Sequence, residues 1–325
     1  MEVITVSHYD AQRKERLGRF TCSQGHALFF RPDQYDRRSF VTRSLTRTAL
    51  WSLDVLFGTF AALRSLGRRD TGDSPYSYDM TETRDGQTRT LVYDSMDGGP
   101  GRAWKEGSEG LCVMAGGVDA SPSMFRPYCD ELASTLPGLD FYTPYLRTSQ
   151  STCAETMACE VYEVVRAYLA RNPRRPVCLI GFSYGAFVLA HVDLKLTQFQ
   201  PGVSVSYTSI AGLFYGTAVF NRIDAVGAGS FASRAPLVRK EYSQANERSV
   251  AFLEEWRGTA PTSPRAYHFY ASLDDEMIAP VETALPLLYH EEVHHTVAGA
   301  THHGLLASAR EHVLRQTYAY FGRVF

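Results

Sequence analysis

Residues 177–190 read V-C-L-I-G-F-S-Y-G-A-F-V-L-A: an apolar hexapeptide runs through Gly181, Ser183 and Gly185 straight into a helix-length stretch of small and apolar residues. A strand that becomes a helix within one or two residues belongs to a sheet whose faces are covered by helices, because the helix must fold back over the strand it has just left. Such a turn needs backbone room, and the two flanking glycines supply it by removing side chains that would collide there. The serine between them is then held with its hydroxyl above the strand end and a helix N-terminus beneath it. The pentapeptide G-x-S-x-G also arises in ordinary β-turn-α connections. The apolar strand before it and the helix pattern after it make Ser183 a candidate nucleophile.

The same alternation continues on both sides of this turn. Short apolar strands are predicted at 111–114, 139–144, 203–212, 265–271 and 293–297, with helices at 121–136 and 152–169 and from about 302 to the end. The expected fold class is α/β, a mostly parallel sheet with helices on both faces. A chain of 325 residues, 44% hydrophobic and 21% charged, fits one large domain with extensions. Its 33 Lys and Arg against 35 Asp and Glu leave a formal charge of -2, which excludes charge-driven nucleic-acid binding. The six cysteines (Cys22, Cys112, Cys129, Cys153, Cys159, Cys178) form no C-x-x-C pair and read as buried free thiols of a reducing compartment. Residues 1–13 lack the basic and apolar regions of a secretory signal, so the expected localisation is intracellular and cytoplasmic.

Residues 1–74 are expected to form an N-terminal extension and 75–325 the main domain. In the extension, a strand is expected at 3–6 and an amphipathic helix over about 40–66, with Leu45, Leu53, Leu56, Phe57, Phe60 and Leu63 on one side and arginines at its ends. Asp54 near the middle would cost about 2.5–3.5 kcal/mol in a bilayer centre, so a buried or interfacial helix is favoured over a span. Peripheral membrane contact through 45–66 stays open as a further role. Residues 77–83 and 88–95 flank Asp85-Gly86, a dipeptide that closes tight hairpins.

The turn around Ser183 resembles the nucleophile elbow of the α/β-hydrolase superfamily, and the hairpin at 77–95 resembles the antiparallel opening of that family's sheet. The resemblance implies a Ser-His-Asp triad in the chain order serine, acid, histidine, and no cofactor or metal. By this likeness Ala115-Gly116-Gly117 stands where the family carries His-Gly-x. The oxyanion hole is then expected from the backbone N–H groups of Tyr184 and Gly117, with Val118 as the alternative. Ala115 departs from the usual histidine, which bears on side-chain bracing and not on the backbone donor. The segment from Ala271 to Pro280 resembles the family's G-x-x-D-x-x-V-P. Counting forward from Ala271 places the acid on Asp274, whereas counting back from Ile278 places it on Asp275. Gly299-Ala300-Thr301-His302 resembles G-x-x-H and makes His302 the expected base, with His303 as its alternate.

His290-Glu291-Glu292-Val293-His294 matches the H-E-x-x-H zinc-peptidase signature literally. That chemistry needs one helix carrying both histidines, and here a helix-like segment stops near His290 before the β-like V-H-H-T-V, so His290, His294 and His295 are expected at the surface. Residues 213–264, rich in aromatics, lie where the family inserts a cap; a short helical cap forming an apolar acyl pocket and a pair of ordinary helices are both open. The expected function is a serine hydrolase of a carboxylic ester, esterase-, lipase- or lysophospholipase-like, acting on a small acyl ester that could be a lipid. A thioesterase or acyltransferase with the same triad, a non-catalytic binding protein of this fold, and a zinc peptidase are the alternatives.

Overall fold

The computed structural model describes residues 3–7, 79–84, 87–92, 104, 107–117, 120, 122–146, 153–225, 236–244, 246–278, 280–288, 290 and 292–324. The expected helix at about 40–66, and with it the proposed membrane-contacting stretch 45–66, lies outside the described residues, as do Cys22 and Val118.

Seven strands form one sheet: β1 (Val3–Ser7), β4 (Gly110–Ala115), β5 (Leu139–Tyr142), β6 (Val177–Phe182), β7 (Val205–Ile210), β8 (Arg265–Ser272) and β9 (Glu292–Val297). Their order is β1-β9-β8-β7-β6-β4-β5. All neighbours run parallel except β1, which lies antiparallel on the outer edge of β9 with Thr5 opposite His295. The hairpin strands β2 (Asp79–Arg84) and β3 (Gln87–Val92) pair only with each other in a separate two-stranded sheet. Among the described residues the expected antiparallel opening is therefore a separate two-stranded ribbon lying beside β5 without joining its sheet, and the antiparallel strand of the large sheet is β1 at the opposite edge.

Helices α1 (Arg126–Thr135) and α7 (His302–Val324) cover one face, and α2 (Ala154–Arg171), α3 (Tyr184–Phe199) and α6 (Glu247–Gly258) the other. The central strands β4 and β6 read as unbroken apolar runs because both of their faces are buried. In β4, Leu111 and Val113 pack toward α2 and α3, whereas Cys112 and Met114 pack toward α1. Two shorter helices, α4 (Ala218–Ala225) and α5 (Pro236–Tyr242), precede α6 in the segment between β7 and β8. Phe252 and Trp256 of α6 stack on each other (ring centroids 5.7 Å apart) and Trp256 stacks on Phe214. These aromatics belong to the core cluster over the sheet, together with Phe187, Tyr207 and Phe269.

A buried carboxylate locks this face. Asp193 of α3, fully buried, accepts from Trp256 Nε1 (2.9 Å), Tyr267 Oη (3.0 Å) and Arg265 Nε (3.1 Å), so α3, α6 and the start of β8 share one ion pair. A charge pair out of water persists only where its remaining hydrogen-bonding groups are satisfied, and Arg265 also donates to Val203 O (2.6 Å) and Thr197 Oγ1 (3.2 Å).

From β4 the chain steps outward to β5, then crosses back to place β6 on the other side of β4. Strand order reverses there, which opens a crevice beyond the strand ends. The loop after β4 and the turn after β6 meet in that crevice.

Candidate active site

Ser183 is the single residue between β6 and α3, and its backbone is left-handed (φ 55°, ψ -127°). A non-glycine residue in such a conformation costs about 1–3 kcal/mol and is kept only where its surroundings over-determine it. Ser183 N–H donates to Ile210 O (2.9 Å), and Ser183 O accepts from Ala186 N–H (3.1 Å) and Leu213 N–H (3.3 Å). The glycines carry the close approaches. A Cβ on Gly181 would strike the backbone of Ala186, and one on Gly185 would strike the carbonyl oxygens of Ala115 and Gly116. The N-terminus of α3 thus lies directly on the glycine loop after β4.

That contact puts Gly117 beside the serine: a Cβ at Gly117 would stand 4.0 Å from Ser183 Oγ in ordinary contact. Tyr184 is the first residue of α3, so its N–H has no carbonyl one turn earlier to bond. Its side chain points into the protein. The buried Tyr184 hydroxyl donates to the carboxylate of Glu241 in α5, which also accepts from Ala154 N–H (3.1 Å) at the start of α2. Burial pushes both the Tyr184 hydroxyl and the Glu241 carboxyl up from their ordinary values.

The imidazole of His302 closes the arrangement. His302 Nε2 lies 3.0 Å from Ser183 Oγ and His302 Nδ1 lies 2.9 Å from Asp275 Oδ2. Nδ1–H donates to the carboxylate, which leaves Nε2 to accept the serine hydroxyl proton. The His302 and Asp275 side chains are only 4% and 1% exposed, so the ion pair they can form is shielded from solvent screening. The other oxygen of Asp275 accepts from Met277 N–H and Ile278 N–H, each at 2.8 Å, which fixes the carboxylate in a tight turn.

The expected acid therefore changes. Asp274 does not reach His302; fully buried, its Oδ2 accepts from Gly299 N–H (2.6 Å) in the loop before α7. The alternate, Asp275, is the residue beside the imidazole. The physical reason lies in β8, which runs one residue beyond Ala271 to Ser272, and in Leu273 N–H, which still bonds Val297 O (2.8 Å). His303, the alternate base, is exposed, with its ring 6.1 Å from that of Phe182 and 5.3 Å from that of His302; the nitrogen at the serine hydroxyl belongs to His302. Sequence reasoning gave no role to Glu276, whose carboxylate accepts His302's backbone N–H (3.0 and 3.3 Å to its two oxygens).

The H-E-x-x-H segment takes a different form from its signature. His294 and His295 lie in strand β9 and are fully buried, not at the surface as expected. His294 stacks on Phe269, and its Nε2 lies 3.0 Å from Pro286 O. His290 stacks on Tyr267 outside that strand, so no helical turn joins it to His294. His295 faces His268 (Nε2 to Nδ1, 3.3 Å), and burial pushes His268 down to about 4 and His295 to about 2. Among the described residues no group of three or more His, Cys, Asp or Glu side chains converges as a metal site would.

A cavity of about 510 Å³ lies off this chemistry, between the start of α2, α3 and α6, with Phe187, Phe252 and Glu241 in its walls. Its size suits a small ligand, but Ser183, Asp275 and His302 do not line it.

No family model and no curated protein matches the chain. Among solved structures it is similar to Est1E from Butyrivibrio proteoclasticus, with 13% identity, 74% of this chain and 97% of that chain covered, and a TM-score of 0.43. It is also similar to a lipase-esterase related protein from Clostridium acetobutylicum, at 14% identity, 66% and 96% coverage and a TM-score of 0.41. An extracellular α/β-hydrolase from a Paenibacillus species matches at 15% identity, 65% and 98% coverage and a TM-score of 0.40. The parallel strands in the order β9-β8-β7-β6-β4-β5, covered by helices on both faces, give the expected α/β fold class, while β1 on the outer edge of β9 departs from the expected opening of the sheet.

Proposed function

We propose that the protein is a serine hydrolase of a carboxylic ester, with Ser183 as nucleophile, His302 as base and Asp275 as the acid. The observation that carries this reading is the unbroken line from Ser183 Oγ through His302 (3.0 Å) to Asp275 (2.9 Å), built on a serine held in a left-handed turn.

The steps follow from the geometry. Ser183 Oγ attacks the ester carbonyl carbon while its proton passes to His302 Nε2, and Asp275 holds the imidazole in the right tautomer and stabilises its cation. The carbonyl oxygen gains the negative charge, and the N–H groups of Tyr184 and Gly117 are the proposed donors to it; one such donor is worth about 2.7–4 kcal/mol. Collapse expels the alcohol, which takes the proton from His302, and leaves an acyl-serine. Water activated by the same imidazole then releases the acid.

An intracellular setting is supported by five free cysteines among the described residues, four of them buried. Among the described residues no helix is long and apolar enough to cross a membrane. Flotation with liposomes tests peripheral contact through residues 45–66: co-flotation supports it and sedimentation opposes it. For the activity, p-nitrophenyl esters of graded chain length and acyl-CoA thioesters are offered to wild type and S183A. Ester turnover that S183A loses supports the reading; turnover of the thioesters alone would move the substrate class, and turnover unchanged in S183A would overturn the nucleophile.

A further inference from the structure

We propose that Glu276 is a positioning residue for the base, acting on His302 from the backbone side; this rests on the triad reading above. His302 is the first residue of α7. The first N–H groups of a helix have no partner within it. Thr301 serves two of the next: its Oγ1 accepts Gly304 N–H (2.9 Å) and its carbonyl accepts Leu305 N–H (2.9 Å). The N–H of His302 itself is taken by Glu276, at 3.0 and 3.3 Å. One histidine is therefore gripped at both ends by consecutive carboxylates, Asp275 at the ring and Glu276 at the backbone. Phe182 packs against the ring between them, with centroids 5.0 Å apart. Neither grip alone fixes the distance to Ser183: the first sets the ring's rotation and the second sets where its backbone stands.

The charge of Glu276 has a second effect. A helix N-terminus is electropositive and opposes a cation on its first residue. A half-buried carboxylate against that terminus offsets this field where the ring takes up the serine proton. Position and charge are separable because glutamine keeps an acceptor oxygen and loses the charge.

The test compares E276A, E276D and E276Q with wild type in kcat and KM on an ester substrate, with S183A alongside. In E276A, kcat is expected to fall about tenfold or more with KM little changed, as for loss of orientation. In E276Q most of kcat returns, because glutamine keeps an acceptor oxygen for the His302 N–H. Should E276A not fold, E276D, whose shorter side chain draws the acceptor back, carries the test and is expected to lose kcat with KM little changed. An E276A kcat within twofold of wild type, an unaltered kcat in E276D where E276A does not fold, or an E276Q kcat as low as that of E276A, overturns the proposal even if the melting temperature drops as for a lost helix cap. An inactive S183A beside unaltered Glu276 variants sinks this proposal alone; a fully active S183A sinks the triad reading and this proposal with it.

Discussion

At Ser183 the backbone carries the strain and three hydrogen bonds hold it, so the hydroxyl is aimed before any substrate arrives. The two neighbouring aspartates show how finely such aim depends on position. Both are buried at one loop, yet Asp275 faces the imidazole and Asp274 holds the backbone of Gly299. D275N, which upsets the tautomer of His302, is expected to lower kcat about 10³- to 10⁴-fold. D274N keeps an oxygen for Gly299 N–H and should cost about 1–2 kcal/mol of stability with kcat in the wild-type order of magnitude. Steady-state kinetics and urea unfolding of the two variants read this directly, and the reverse pattern would return the acid to Asp274. The sequence alone left both counts open. A shift of one residue in where β8 ends decides between them, and strand ends are set by pairing that local residues do not reveal.

At the scale of elements, the elbow is a packing problem solved by two glycines. G185A drives a methyl group into the carbonyls of Ala115 and Gly116. It should destabilise the protein by about 1–3 kcal/mol and abolish activity beyond what the lost stability explains, because the glycine loop and the helix N-terminus separate. Thermal melting and ester turnover check both halves, and a stable, active G185A contradicts the account. This element was legible because an apolar strand, two glycines and an apolar helix sit within a few residues of one another. The histidine-rich strand was not. His294 and His295 looked like surface residues because polar side chains seldom sit inside a sheet; stacking on Phe269 and Tyr270, with Pro286 O and His268 beside their ring nitrogens, accommodates them. The Asp193 network was equally hidden, since its partners Trp256, Arg265 and Tyr267 lie more than sixty residues away.

Across the whole molecule, the reversal of strand order between β4 and β6 opens the crevice in which Ser183 and His302, 119 positions apart, meet. The alternation of strands and helices made this sheet legible, whereas the placement of β1 beside β9 depends on pairing across almost the whole chain. Global stability should depend on pH through β8 and β9. His268 and His295 are pushed by burial from 6.5 to about 4 and about 2. Between pH 6.5 and these values the unfolded chain takes up protons that the folded chain refuses, so stability falls as pH falls through that window. At pH 4.5 each imidazole should cost about 2–3 kcal/mol relative to pH 7. Urea midpoints at the two pH values measure it, and an H268Q variant should lose part of the dependence; equal slopes would contradict it. The central claim, that Ser183 is the nucleophile, is tested most directly by a fluorophosphonate followed by mass spectrometry of the peptide containing residues 177–199. The account predicts one adduct, on Ser183, formed by wild type and absent from folded S183A; no adduct on folded wild-type protein, or one that persists in S183A, would contradict it.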